Sequence, residues 1–264
     1  MLQVSRDLRA EADELHALLG ALEPADWSRP TPFHEWTPWD VVAHLHFFDR
    51  ISLLALNDPV RFAARRDDLT AKMVAGVDLA DQTRREYAAW DPRRITETWI
   101  GTCHELAEAL GRCDPKRRLP WFGPDMGVPM FTTARYMETW AHGQDVYDLL
   151  RRPRTHRDRI RNIAVIGVKT FAWTFLNRGE EIPGPPLYVR LVAPSGATWE
   201  WNEPDDRGHV RGPAVDFCQV VTQVRNVADT ALEVHGPVAT RWMSIAQCFA
   251  GGPADPPEPG TRTG

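Results

Sequence analysis

Helical periodicity punctuated by proline, over the first 150 residues, is the feature that most restricts what this chain can fold into. Val4, Leu8, Ala12, Leu15, Leu18 and Leu19 recur at helical spacing within 4–21. A proline-broken loop follows over 23–36. Thr37-Pro38-Trp39-Asp40 then supplies an N-cap residue, a proline at the first helical position and an acid in the first turn. This signal opens a helix predicted over 38–57, which stops at Asn57-Asp58-Pro59. A shorter helix is predicted over 59–75. Another, entered at Asp91-Pro92, covers 92–112 and carries Ile95, Trp99, Cys103, Leu106 and Leu110 on one face. Beyond a Pro- and Gly-rich loop over 119–129, a helix is predicted over 132–150. Four long helices so connected make an antiparallel bundle.

The pattern changes after Arg151-Arg152-Pro153. A helix is predicted over 157–177, then two strands over 187–192 and 197–201, joined by Pro194-Ser195-Gly196 as a hairpin. A third strand is read at 209–211, and helices over 213–225, 226–233 and 237–249. The expected organisation is an all-α four-helix bundle over 1–152, a small α+β domain with an antiparallel sheet over 153–252, and a disordered Pro/Gly-rich tail over 253–264.

Net charge is −5 and no Lys/Arg-rich stripe stands out, so neither nucleic acid nor an anionic membrane is expected as a partner. No run of 18 apolar residues exists, and the amphipathic, acidic N-terminus has no apolar signal core, which points to the cytoplasm. The four cysteines form no CxxC pair and read as reduced, buried thiols. Nucleotide-binding glycine loops and a GxSxG elbow are absent.

Glu138 and His142 lie four residues apart on a predicted helix, so their side chains leave one face a turn apart. His44 is surrounded by Val41, Val42, Leu45 and Phe48 and is expected to point into the bundle. Singly these signals are common, since most histidines on an apolar face are core residues. Together, two imidazoles and a carboxylate make a three-ligand metal site with an open position. His104 and Glu108 share the same spacing at the edge of an apolar stripe and read as a solvated pair. His46 is turned about 200° from His44. Asp40 has two readings, a partner for the free N–H of His44 or an acid favoured by the helix dipole. Asp145 can orient His142. Arg135 can bind a substrate carboxylate or make a surface salt bridge. Cys103 and His104 are helical neighbours that point apart, so they form no dyad.

The segments Trp36-Thr37-Pro38-Trp39-Asp40-Val41-Val42-Ala43-His44-Leu45 and Met137-Glu138-Thr139-Trp140-Ala141-His142-Gly143-Gln144-Asp145-Val146 resemble the DinB-like helical bundle. More closely, they resemble the metal-binding domain of mycothiol-dependent maleylpyruvate isomerase and its actinobacterial relatives. The closing stretch from Asp229 to Pro253 is similar to the end of an uncharacterised branch of that group. The resemblance implies a zinc ion on His44, Glu138 and His142, mycothiol as thiol cosubstrate, and a second domain like sterol carrier protein. One departure stands out. Relatives often read Gly-Trp before the second helix, where this chain has Phe33-His34-Glu35-Trp36. His34 and Glu35 therefore become acid–base candidates or an added ligand.

The expected function is a metal-dependent isomerase or thiol transferase acting on a small, carboxylate-bearing substrate, with His34, Glu35 and Arg135 as catalytic candidates. In an isomerase the ion would hold the thiol as thiolate or polarise a carbonyl. The thiolate would add to a conjugated double bond, the bond would rotate and the thiol would leave. The pocket would be lined by Trp36, Trp121 and Phe122. Ni2+ and Fe2+ suit the same ligands. The alternative is a non-catalytic module that binds a metal and an apolar ligand. The sequence sets no oligomeric state.

Overall fold

In the computed structural model, which describes residues 1–262, helix α1 spans Gln3–Leu19. The next helices start on one local device, an acid or hydroxyl at the N-cap with proline behind it. Helix α2 (Pro38–Asn57) has a capping box between Thr37 and Asp40. Helix α3 (Pro59–Val74) is capped by Asp58. Helix α4 (Leu79–Tyr87), which the hydrophobic pattern does not reveal, is capped by Asp78 without a proline. Helix α5 (Pro92–Arg112) is capped by Asp91. Each cap satisfies backbone N–H groups that a helix start leaves unpaired.

Helix α5 packs against both α1 and α2, while α3 and α4 pack on α2. Leu8, Leu15, Ile95, Trp99, Leu106 and Leu110 fill the core between them. The 119–129 loop is pinned by a short ribbon, β1 (Arg118–Leu119) antiparallel to β2 (Met126–Gly127). Helix α6 (Val128–Leu150) begins earlier than 132. Pro129 sits in its first turn, where a missing N–H breaks no helical bond.

Helix α6 is buried around most of its circumference, so its polar side chains need partners inside the protein. Thr132, Thr133 and Thr139 donate to carbonyls four residues back. Arg135 Nε donates to Asp49 Oδ1 of α2 at 3.0 Å, with side chains 3% and 0% exposed. Trp99 and Cys103 of α5 face the same carboxylate. His44 lies before Asp49 and Glu138 after Arg135, so these contacts run α2 and α6 antiparallel.

The chain divides into two compact units, Met1–Leu149 and Leu150–Gly264. In the second, the helix predicted over 157–177 is interrupted. Helices α7 (Arg161–Lys169) and α8 (Phe171–Leu176) meet at Thr170, whose hydroxyl bonds back to Ile166 O and Gly167 O. Strands β3 (Tyr188–Val192) and β4 (Thr198–Trp201) form the expected antiparallel hairpin. Strand β5 (His209–Pro213) pairs parallel to β3, so the sheet is mixed and not antiparallel throughout. After α9 (Ala214–Val221), only a single turn at Val227–Asp229 is helical where 226–233 was predicted. Strand β6 (Glu233–His235) then adds to the sheet, giving the order β4-β3-β5-β6, before α10 (Pro237–Ile245). Pairing with Val210 gives Val234 a ladder that isolated propensity does not show.

The tail predicted to be disordered is held through residue 262. Gln223 Nε2 donates to Ala254 O at 2.7 Å, and Ala254 N–H to Gln247 Oε1 at 3.0 Å. Asn226 Nδ2 donates to Pro257 O at 2.9 Å, and Arg262 is buried against Gln223 O. Side-chain amides here supply partners that a proline-rich backbone cannot supply itself. Thr263 and Gly264 lie outside the described residues.

Removing Arg135 alone leaves a buried carboxylate without its cation. Arg135→Met is expected to cost about 3–5 kcal/mol, and Asp49→Leu with Arg135→Met far less. Urea unfolding of both variants measures this; equal losses would show that the two charges are not coupled.

Candidate metal centre

Three side chains from α2 and α6 meet. His44 Nε2 lies 3.4 Å from Glu138 Oε2, and His142 Nε2 lies 3.4 Å from the same oxygen. One donor atom from each residue falls within 4.8 Å of the others. Both contacts exceed the roughly 2.7–2.9 Å of a charge-assisted hydrogen bond. They match the edge of a tetrahedron instead, since ligands about 2.0–2.2 Å from an ion lie about 3.3–3.6 Å apart. The donor set and its spacing therefore fit a divalent ion. Both imidazoles are buried, and Glu138, with 23% of its side chain exposed, is the member that solvent reaches.

His142 Nδ1 sits 3.3 Å from Asp145 Oδ2, an orientation that leaves Nε2 facing Glu138. Nδ1 of His44 is buried without a hydrogen-bond partner. Burial pushes His44 down to about 4, aided by the charge of His142 and opposed by Glu138. Burial also disfavours charge on His142, but Asp145 and Glu138 together outweigh it and hold that imidazole up to about 9. Partial burial disfavours charge on Glu138, yet its two imidazole neighbours keep it far below the usual carboxylate range. At neutral pH the protein's own groups thus present one neutral imidazole, one protonated imidazole and a carboxylate.

Aromatic rings wall the cluster. Phe33 meets His142 edge-on at 5.0 Å, and Trp36 stacks on His142 at 5.4 Å and lies 5.1 Å from His44. Phe48 lies 4.9 Å from His44, and Phe122 is 5.9 Å from Phe48. Trp121 is buried between Phe62 and Phe131. Phe48 was read as a neighbour of His44, whereas Phe33 was not legible as a wall residue, although it precedes the candidate His34 in the chain.

His34 and Glu35 do not join the three-group cluster; both are exposed. They are the central residues of a tight turn closed by Trp36 N–H donating to Phe33 O at 2.9 Å, with φ of 46° and 57°. Two left-handed residues in succession are the mark of a type I′ turn, which ordinarily takes Asn-Gly. Arg135 is not a free cation beside the site, being engaged with Asp49. Asp40 resolves to the helix-start reading: it accepts from Thr37 N–H at 2.9 Å and from Arg84 Nε at 2.7 Å. His46 packs on Tyr87 and Trp90, away from the cluster. His104 pairs with Asp13 at 2.7 Å, and Glu108 with Arg112, so the two do not pair with each other.

Fold and cluster together define a helix-rich protein with a candidate three-ligand metal centre. Residues 8–147 match the family described as the mycothiol maleylpyruvate isomerase N-terminal domain, and the chain belongs to that family. An uncharacterised protein of Mycobacterium tuberculosis, from strains CDC 1551/Oshkosh and H37Rv, is 40% identical over 247 residues, covering 94% of this chain and 95% of its own. The crystal structure of the mycothiol-dependent maleylpyruvate isomerase shares the fold with a TM-score of 0.51 at 12% identity, over 83% of this chain and 88% of that one. No helix among the described residues is long and apolar enough to cross a membrane.

Coordination needs neutral His142, which is held up to about 9. Binding of a divalent ion at pH 7 is therefore expected to release about one proton, and affinity to rise with pH until that proton is gone. Calorimetry in buffers of different ionisation heat counts the protons; a count of zero would contradict a protonated His142 in the metal-free protein. Replacing His34-Glu35 by Asn-Gly is expected to stabilise the fold by about 1 kcal/mol. Denaturant melts showing a loss would mean that the native side chains themselves hold the turn.

Proposed function

We propose that the chain is a metal-dependent enzyme, a thiol-dependent isomerase or transferase that uses mycothiol and holds Zn2+ on His44, Glu138 and His142. The observation that supports this reading is the pair of 3.4 Å separations from one Glu138 oxygen to two buried imidazoles. A divalent cation in that position supplies Lewis acidity, which lowers the pKa of a thiol or polarises a carbonyl. His44 and His142 then serve as neutral donors, Asp145 fixes the tautomer of His142, and Glu138 offsets the charge. The rings of Phe33, Trp36 and Phe48 limit water around both imidazoles. The thiolate adds to a conjugated carbon of the substrate and the electron pair moves to its carbonyl. Rotation and expulsion of the thiolate complete an isomerisation; retention of the adduct, with a proton taken up at carbon, completes a transfer.

Acid–base work falls to His34 or Glu35, on the turn whose flanking rings touch the imidazoles. Arg135 reaches a substrate carboxylate only by leaving Asp49 unpaired, which disfavours that role. The helical unit is taken as a DinB-like bundle, the second unit as a fold like sterol carrier protein, and the cytoplasm as the compartment.

Elemental analysis of wild type and His142→Ala tests the centre. Wild type is expected to hold one divalent ion per chain and the variant essentially none. A metal-free wild type, or a variant that holds as much, overturns the reading. With metal in place, mycothiol-dependent isomerisation of a conjugated carbonyl compound is expected to fall by about 10²-fold or more in whichever of His34→Ala and Glu35→Ala removes the acid–base group.

A further inference from the structure

We propose that the ring wall raised by the 33–36 turn selects the ligand of this centre. It admits a molecule that brings an apolar or aromatic body against His44 and His142 with one donor atom for the ion, and it disfavours a second carboxylate. This rests on the metal reading above and goes beyond it to the class of ligand.

Phe33, Trp36, Phe48 and Phe122 are each half-buried, whereas the neighbouring Phe47 and Trp121 are buried. Phe33, Trp36 and Phe48 thus keep part of their surface open beside the imidazoles they touch, and Phe122 stands next to Phe48. The turn makes this arrangement specific. Its closing hydrogen bond sets Phe33 and Trp36 side by side, and both rings reach His142. Left-handed backbone at two non-glycine residues costs about 1–2 kcal/mol each. Such cost persists where the surroundings over-determine it, commonly at ligand clamps.

Charge points the same way. Glu138 already brings one carboxylate to the cluster, and Asp145 stands behind His142. Arg135, three residues before Glu138, is engaged by Asp49. A carboxylate seated against the rings would lose water and bring a like charge beside Glu138, while an aromatic group there gains apolar contact.

The test uses the full chain loaded with Co2+, titrated with phenylmethanethiol and with 3-mercaptopropanoate. Both offer one sulfur, whose proton leaves to the buffer on coordination, and the sulfur-to-cobalt absorption band reads binding directly. The aromatic thiol is expected to bind at least about tenfold more tightly, the effect of removing roughly 55 Å² of apolar surface from water. Trp36→Ala and Phe33→Ala are expected to bring the ratio towards one with cobalt content unchanged, and Trp36→Phe to keep most of it. Phe33→Ala carries the test if Trp36→Ala does not fold by circular dichroism. Equal affinities in wild type, a preference for the carboxylate thiol, or a preference that survives in the alanine variants overturns the proposal. Absence of cobalt in dialysed wild type, measured before any thiol is added, instead overturns the metal reading and this inference with it.

Discussion

The candidate centre depends on a buried ion pair that has no part in its chemistry. Asp49 and Arg135 meet at 3.0 Å with essentially no exposure, five residues along α2 from His44 and three along α6 from Glu138. Such a pair contributes little net stability, because desolvating both charges offsets most of their attraction. Its effect is on register. A slip of one helical turn moves one helix about 5.4 Å past the other, more than the 4.8 Å span of the three donor atoms. It would also separate two buried charges, which is far more costly than a misplaced apolar contact. The antiparallel alignment that brings His44 to Glu138 and His142 is therefore the one that also pairs Asp49 with Arg135.

Within that frame the cluster is arranged for positive charge. Two carboxylates, Glu138 and Asp145, bracket His142, and the cost of burying them is offset in part by a proton on that imidazole. Burial holds His44 neutral beside it. A divalent cation bound there would take over what the proton does, with the same donors and one more positive charge. The i,i+4 spacing on α6 fixes two of the donors relative to each other whatever the rest of the chain does, and only the third depends on tertiary packing.

This division explains what the sequence made legible. The starts of α2, α3 and α5 could be read because proline and its capping residue act within one turn. The Glu138–His142 pair could be read for the same reason. Arg135 could not be assigned, because its partner lies 86 residues away and an aspartate inside the run Phe47-Phe48-Asp49-Arg50 carries no local mark of pairing. Strand β6, the parallel pairing of β3 with β5, and the anchored tail escaped on similar grounds. Each is stabilised by hydrogen bonds to distant residues, and in each the local composition points to helix, hairpin or disorder. Helix α4 escaped because its short amphipathic run has few apolar residues to count.

The turn before α2 shows how far a local departure can be traced. As sequence, Phe33-His34-Glu35-Trp36 looks like two added titratable groups near a metal site. As structure, the pair it places at the cluster is Phe33 and Trp36, and the titratable residues occupy the left-handed positions between them. The reversal follows from backbone geometry, since a closed four-residue turn sets its first and last residues side by side and its middle two at the tip. A likeness of fold at 12% identity leaves such a loop undetermined. The frame of α2 and α6 can be shared across the family while Phe33 and Trp36, two of the rings beside the candidate centre, are set by a four-residue turn, so divergence there requires no change in the helices that carry the three donors.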